Sequence, residues 1–372
     1  MTKFAWASMV ALTAAWGCGV SSGDEQSPTD ESFTSTGTGY GEGAPSGSTS
    51  GGYEGVTSSA ASGGFEGGDS GAPGEPGGSP QAGQLTAGVW DDNRNFEFFE
   101  TYLAKHAQDE GRLDFTDEEV SAAHARSLET SSAHTALDIA FVIDTTSSMS
   151  DELAYLKAEV ASIAGHIAER YPNASQRWAL VAYRDEGDSY LVSPKDFAPL
   201  DSFAQSLSQL NANGGGDFPE APDAAFEATA QLSWQSDDAA RLVFWLADAP
   251  HHVQNAKNFA GAVRDLVAKD AHVYPIASSG VDGLAELTMR ASAQLTNGRY
   301  VFLTDDSGIG GEHKEPEIPC YFVTRLDQAI ERMVDIEMTG HYVEPNADDI
   351  LRTGGDPQDG ACQLESTTVF AF

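Results

Sequence analysis

The chain has 372 residues, 57 of them Asp or Glu and only 20 Lys or Arg, for a formal charge of −37. Length alone suggests two domains, but residues 19 to about 85 carry too few large apolar side chains to support a core, which leaves one sizeable domain with extensions. The charge excludes nucleic-acid binding, which needs a basic footprint, and it repels anionic headgroups, so membrane attachment has to come from an anchor.

In chain order, the first element is an address. Lys3 supplies a short positive region, and Phe4 to Trp16 is a mostly apolar run too short to span a bilayer, which needs ~20 residues. Ala15-Trp16-Gly17-Cys18 resembles a bacterial lipobox, with Trp16 departing from the usual small residue. That resemblance implies a signal peptide over 1–18 and lipidation at Cys18. Gly19, rather than Asp, follows the cysteine and points to the outer membrane, with the protein periplasmic or surface-exposed. Residues 19–85 are rich in Gly, Ser, Thr and acidic residues and lack Lys and Arg, the composition of a disordered, self-repelling tether. With Cys18 assigned to the anchor, Cys320 and Cys362 are the candidate disulfide of an exported protein, two free thiols being the alternative.

Aromatic residues return at Val89-Trp90 and Phe96 to Leu103, and Thr116-x-x-Glu119 is a capping box opening a helix to about Arg126. Residues 86–133 are read as a helical collar. Asp91 to Asn95 lacks the spacing of a calcium loop and is read as a turn. Leu137 to Ile143 is a continuous apolar run, as in a strand covered on both faces, and Leu153, Leu156, Val160, Ile163 and Ile167 follow at helical spacing. Strands are expected at 178–183, 189–192, 241–247, 272–276 and, last, 300–303. Helices are expected at 203–210, 221–232, 256–266, 284–295 and, last, 326–336. This alternation predicts an α/β fold over 134–338: a doubly wound, mainly parallel sheet flanked by helices, with 339–372 as a C-terminal extension. Ligands of such sheets bind beyond the carboxyl ends of the strands, at the topological switch point.

The first strand ends in Asp144-Thr145-Thr146-Ser147-Ser148. A carboxylate and two hydroxyls at alternate positions of one tight loop can face a single point, which suits a cation that takes oxygen ligands and keeps some waters. Asp144, Thr146 and Ser148 resemble the first motif of the metal-ion-dependent adhesion site of von Willebrand factor A domains, with Thr146 in place of a serine. Gly214-Gly215-Gly216-Asp217-Phe218-Pro219-Glu220 stands where that family places its second contributing loop, and Asp248, in Leu246-Ala247-Asp248-Ala249-Pro250, where it places its last Asp. Tyr183-Arg184-Asp185 completes a pattern that resembles one subgroup of the family. The resemblance implies a divalent cation, Mg²⁺ first with Mn²⁺ or Ca²⁺ as alternatives, held by Asp144, Thr146, Ser148, Asp217 and Asp248. Asp185, Glu220 and His252 then stand behind the ligands or on the rim. Asp217 either faces the ion or caps the helix that begins near Pro219. His251 and His252 are read as a polar rim, and His313, Glu315 and Glu317 as a solvated acidic loop or an extension of the binding surface.

The resemblance implies a binding module: an envelope lipoprotein that holds a divalent cation and, through it, an acidic side chain of a protein partner. The alternative is a structural role in which the metal only stabilises the fold. No triad, two-metal carboxylate cluster or phosphate loop points to an enzyme.

Overall fold

The computed structural model describes residues 79–372 except 91, 128–132, 217, 237 and 365–366. Cys18, the signal peptide, most of the tether and Asp217 lie outside the described residues.

Nine strands form one sheet in the order β4-β3-β2-β5-β6-β7-β1-β8-β9. Its centre is parallel: β2 (Ala136–Asp144) pairs with β3 (Ser175–Tyr183) on one side and β5 (Ala239–Ala247) on the other. β6 (His272–Ala277) and β7 (Tyr300–Leu303) continue outward from β5. The chain thus leaves β2 in one direction and returns across it to build the other half, which makes the carboxyl end of β2 the switch point.

Side chains alternate across β2 as the strand period requires. Ala140 and Val142 join a core with α1 (Phe96–Lys105), α2 (Asp117–Ser127), α5 (Pro222–Ala230), α6 (Ala256–Ala268) and α7 (Gly283–Leu295). Leu137, Ile139, Phe141 and Ile143 join the opposite core with α3 (Leu153–Arg170), α4 (Leu200–Ser208) and α8 (Leu326–Thr339). Both faces of the strand are therefore dry, the physical reason for its unbroken apolar run. The capping box forms as read: Thr116 N–H donates to Glu119 Oε2 at 2.8 Å, and Glu119 N–H to Thr116 Oγ1 at 3.2 Å.

Several expectations are corrected. The 86–133 segment opens not as a collar but as a sheet strand, β1 (Thr86–Trp90), antiparallel to both β7 and β8 (Tyr321–Arg325). Gly88 is required there, because a Cβ would sit 2.1 Å from a ring carbon of Phe302. Residues 83–85, expected to close the tether, belong to the fold: Leu85 is fully buried, and Gly83, Gln84 and Leu85 donate backbone N–H groups to Glu159 on α3. The short third strand lies later, at β4 (Val192–Ala198), antiparallel to β3. Residues 300–303 are not the last strand. β8 follows, and the extension adds β9 (Arg352–Gly354) to the sheet edge and a separate pair, β10 (Ala361–Gln363) with β11 (Thr368–Phe370).

Cys320 and Cys362 form a disulfide, with Cα atoms 6.2 Å apart, that fastens the residue before β8 to β10. Around it pack Trp90, Val369 and Ala371. Closing a loop of this length stabilises the fold by roughly 3 to 4 kcal/mol on the chain-entropy account.

Candidate functional site

Asp144 ends β2 and is fully buried. Its Oδ1 accepts from Thr146 N–H at 2.9 Å and from Thr146 Oγ1 at 2.7 Å, and that hydroxyl lies 3.1 Å from Ser148 Oγ. Ser148 is exposed and in turn faces the carboxylate of Asp248, just beyond β5. Two carboxylates and two hydroxyls from two neighbouring strand ends are therefore strung together at the switch point. A 3-10 turn spans Ser147–Ser150, and α3 begins at Leu153.

The glycine loop closes over this string. Asn213 N–H donates to Thr145 O at 2.9 Å, and Ser147 N–H to Gly214 O at 3.2 Å. Gly214 and Gly215 both take positive φ, +83° and +73°. A Cβ on Gly215 would lie 2.8 Å from Glu220 Oε1 and 3.1 Å from Thr146 Cβ, so only glycine brings the backbone between them. Arg184 ties the loops together: its guanidinium donates to Thr145 O, Ser189 Oγ and Asn211 O at 3.2, 2.8 and 3.0 Å and stacks on Tyr190. Asp188 braces the loop from below, accepting from Gly215 N–H at 2.9 Å.

Among the described residues, four buried carboxylate oxygens lack a hydrogen-bond partner: Asp144 Oδ2, Asp248 Oδ1, Glu220 Oε2 and, in the first turn of α5, Asp223 Oδ1. The first three belong to one cluster. Burial and then the charge of Asp185 push Asp144 up to about 6, against the hydrogen bonds from Thr146 and Tyr183; burial and the charge of Asp144 push Asp248 up to about 7. Glu220 rises to about 9 through burial and the charges of Asp144, Asp185, Asp248 and Asp188. Orphaned carboxylate oxygens in a protein interior are neutralised by a proton or by a cation. No three His, Cys, Asp or Glu side chains among the described residues come close enough to make a ligand set by themselves. The donors that do converge are carboxylate and hydroxyl oxygens, and such a set suits a hard divalent cation that keeps waters of its own.

The rim divides. His252 Nε2 lies 2.7 Å from Asp185 Oδ1, so these two form a pair beside the cluster. His251 is not on the rim. It is fully buried, bonded through Nε2 to Gly111 O at 2.9 Å, and burial lowers its pKa to about 4. It fastens the connection between α1 and α2 to the main domain as a neutral ring.

The loop after β7 also departs from expectation. Glu315 pairs with Arg352 and Glu317 with Lys105, while His313 is buried, its Nε2 2.7 Å from Glu152 Oε1 and its Nδ1 2.8 Å from Asp305 Oδ1. Burial opposes charge on this ring, but Glu152 and Asp305 outweigh it and its pKa is raised. Glu152 also accepts from Ser279 N–H at 3.1 Å. Sequence reasoning missed Glu152 and Asp188. A buried acid in the first turn after the Asp144 loop gives no local signal, because its partner is 161 residues away.

An open depression of about 580 Å³ adjoins Ser148 and Asp248; Phe218, Ser279, Val281, Glu312 and Lys314 are among its other lining residues. No helix among the described residues is long and apolar enough to cross a membrane.

No curated protein matches the chain. Among solved structures, a conserved hypothetical protein BatB from Bacteroides thetaiotaomicron is 11% identical, over 45% of this chain and 89% of that one, with a TM-score of 0.35. An aerotolerance-related membrane protein from Bacteroides fragilis NCTC 9343, carrying multiple mutations to serines, is 12% identical over 46% and 92%, with a TM-score of 0.33. Residues 138–308, which run from β2 through β7 and contain every described residue of the cluster, match the family model of the von Willebrand factor A domain.

Proposed function

We propose that this protein is a binding module, not an enzyme, and that its carboxyl-edge cluster holds one divalent cation through which it engages a protein partner. The observation that carries the reading is the set of buried, unpartnered oxygens on Asp144, Asp248 and Glu220 at the switch point. Asp144 and Asp248, with the hydroxyls of Thr146 and Ser148, would hold the ion, Mg²⁺ before Mn²⁺ or Ca²⁺. Asp217 is the further candidate from the glycine loop. Asp185 with His252, and Glu220, stand behind. The cation supplies a positive centre able to accept an acidic side chain from outside. Arg184 keeps the three loops in place, and the exposed position of Ser148 leaves one side of the site open. The resemblance of Ala15 to Cys18 to a lipobox supports an envelope protein, held to the outer membrane by a lipid on Cys18.

Titration calorimetry with Mg²⁺ and Mn²⁺ tests the centre. Wild-type protein gives a binding heat and Asp144→Ala gives none, with circular dichroism unchanged. Undiminished affinity in the variant would place the site elsewhere. A pull-down from intact cells, with and without chelator, separates adhesion from a purely structural ion: partners lost on chelation support the first, partners retained the second. The same cells give the intact mass of the mature N-terminus, which shows whether Cys18 carries lipid.

A further inference from the structure

In a chain with 57 acids and 20 Lys or Arg, three cations without a carboxylate partner among the described residues surround the turn that leaves α4. Buried Arg184 donates only to neutral oxygens, on Thr145, Ser189 and Asn211. Lys157 on α3 donates to the carbonyls of Ser208 and Leu210 at 2.9 and 2.8 Å. Lys195, on the edge strand β4, is exposed, and its ammonium has no hydrogen bond or ion pair among the described residues.

Arg184 and Lys195 line one depression of about 220 Å³ between β3, β4 and α4, and no Asp or Glu lines it. The neighbouring acids turn to other partners: Asp185 to His252, Asp188 to Gly215 N–H and Asp196 to Ser233, while Glu186 is exposed on the β3–β4 turn. The floor is apolar, from the buried Leu180 and Ala182 of β3. The walls carry hydroxyls and an amide, with Ser193 on β4 and Ser206 and Gln209 at the end of α4. Ser206 Oγ donates to Ser202 O at 3.0 Å and keeps its lone pairs; Ser193 and Gln209 keep their side-chain groups for an occupant. Tyr190 closes one end, its ring stacked on Arg184 and its hydroxyl 2.6 Å from Thr145 Oγ1.

An apolar floor between hydroxyl and amide walls matches a sugar ring, which is apolar across its C–H face and polar around its edge. The volume lies below the ~300–1,000 Å³ of pockets for drug-sized ligands, so a single ring enters. Charge completes the selection. The fold already uses the Arg184 donors, so that residue contributes a fixed positive field, and Lys195 is left to donate directly to an anion. We propose that this depression is a second binding site, for one uronic acid residue: the ring lies on Leu180 and Ala182, its hydroxyls meet Ser193, Ser206 and Gln209, and its carboxylate meets Lys195. The site requires no metal ion and does not rest on the cation reading above.

The test is NMR titration of the full chain with glucuronate, glucose and acetate, in chelator and again with Mg²⁺, with inorganic phosphate added as a competitor. Glucuronate should bind equally in both conditions and at least roughly tenfold more tightly than glucose, which lacks the charge, or acetate, which lacks the ring. Lys195→Gln should weaken glucuronate by roughly tenfold, the loss of one charge-assisted hydrogen bond. Lys257→Gln, at an exposed lysine on α6 across the sheet, should leave binding unchanged. Circular dichroism of both variants should match wild type, since neither lysine is buried. Absence of glucuronate binding overturns the proposal. Acetate or phosphate as tight as glucuronate would mark a simple anion site and overturns it too. So does equal weakening by the two substitutions, the signature of overall charge, and so does binding that needs Mg²⁺, which would belong to the carboxyl-edge cluster.

Discussion

Asp138 and Asp144 stand near the two ends of one strand, both fully buried, and their surroundings are opposites. At the amino end, Asp138 Oδ1 accepts from Arg177 Nε at 2.9 Å and Gln235 Nε2 at 2.7 Å, and its Oδ2 from Arg177 Nη2 at 2.6 Å and Gln235 N–H at 2.7 Å. Every lone pair has a donor and the charge has a counter-ion. At the carboxyl end, Asp144 Oδ1 takes the donors of Thr146 while Oδ2 has no hydrogen-bond partner; the nearby Tyr183 hydroxyl favours its charge and Asp185 opposes it. One buried acid is closed by the protein itself; the other keeps an oxygen that no donor of the protein reaches. Burial alone therefore says nothing about function, whereas the number of donors on each buried oxygen does.

The largest expected effect separates the two ends directly. Asp138→Ala removes four hydrogen bonds and strips Arg177 of its partner, and should lower unfolding stability by about 3 kcal/mol. Asp144→Asn should cost nothing in chelator. The amide oxygen keeps both bonds from Thr146, and the new N–H₂ replaces an anionic oxygen with a donor facing like-charged neighbours. Urea unfolding of both variants checks this. Equal losses would show that Asp144 is as structural as Asp138, and the comparison would fail.

The next effect is on pH. Without a cation, burial and the neighbouring charges hold Asp144, Asp248 and Glu220 at about 6, 7 and 9, against 3.8, 3.8 and 4.5 for the free groups. The folded state then keeps protons that the unfolded chain has released, so stability falls as pH rises from about 4 to about 9. At the opposite edge burial disfavours charge on His272, but Glu337 outweighs it and raises the group to about 10, which adds a slope of the same sign. Mg²⁺ distinguishes them. It should flatten the cluster's share and leave that of His272, so the gap between Mg²⁺ and chelator melting curves should widen from pH 5 to pH 9, by roughly 5 °C or more. A constant gap would mean that the cluster does not meet the ion.

Much of this was legible in the sequence because it is local. Leu137 to Ile143 announces a two-sided strand, and Asp144, Thr146 and Ser148 stand on one loop, so both the sheet centre and the string of oxygens follow from adjacent residues. The capping box at Thr116 and Glu119 is likewise a matter of spacing. What stayed hidden depends on distant partners. β1 is five residues, fully buried and without alternation, and becomes a strand only because β7 and β8 flank it. His313 looks like part of an acidic surface loop until Glu152 is brought beneath it. Asp185 and His252 stand 67 residues apart, and no spacing rule joins them.

The smallest effect concerns Glu220, which the cluster surrounds without placing on the Asp144–Ser148–Asp248 string. Its Oε1 sits against the position that a Cβ on Gly215 would fill, and its Oε2 has no donor. If it acts only through charge, Glu220→Gln should lower Mg²⁺ affinity by roughly three- to tenfold, an interaction on the order of 1 kcal/mol across a partly screened interior. The same variant should melt higher than wild type in chelator at neutral pH, because the amide keeps the shape without the proton that Glu220, held at about 9, has to take up on folding. Calorimetry and melting together define the role. A loss of a hundredfold or more would promote Glu220 to a direct ligand and move the ion toward Gly215. Unchanged affinity with unchanged melting would show that Glu220 does not feel the other carboxylates, and the electrostatic contrast between the two ends of β2 would then rest on Asp144 and Asp248 alone.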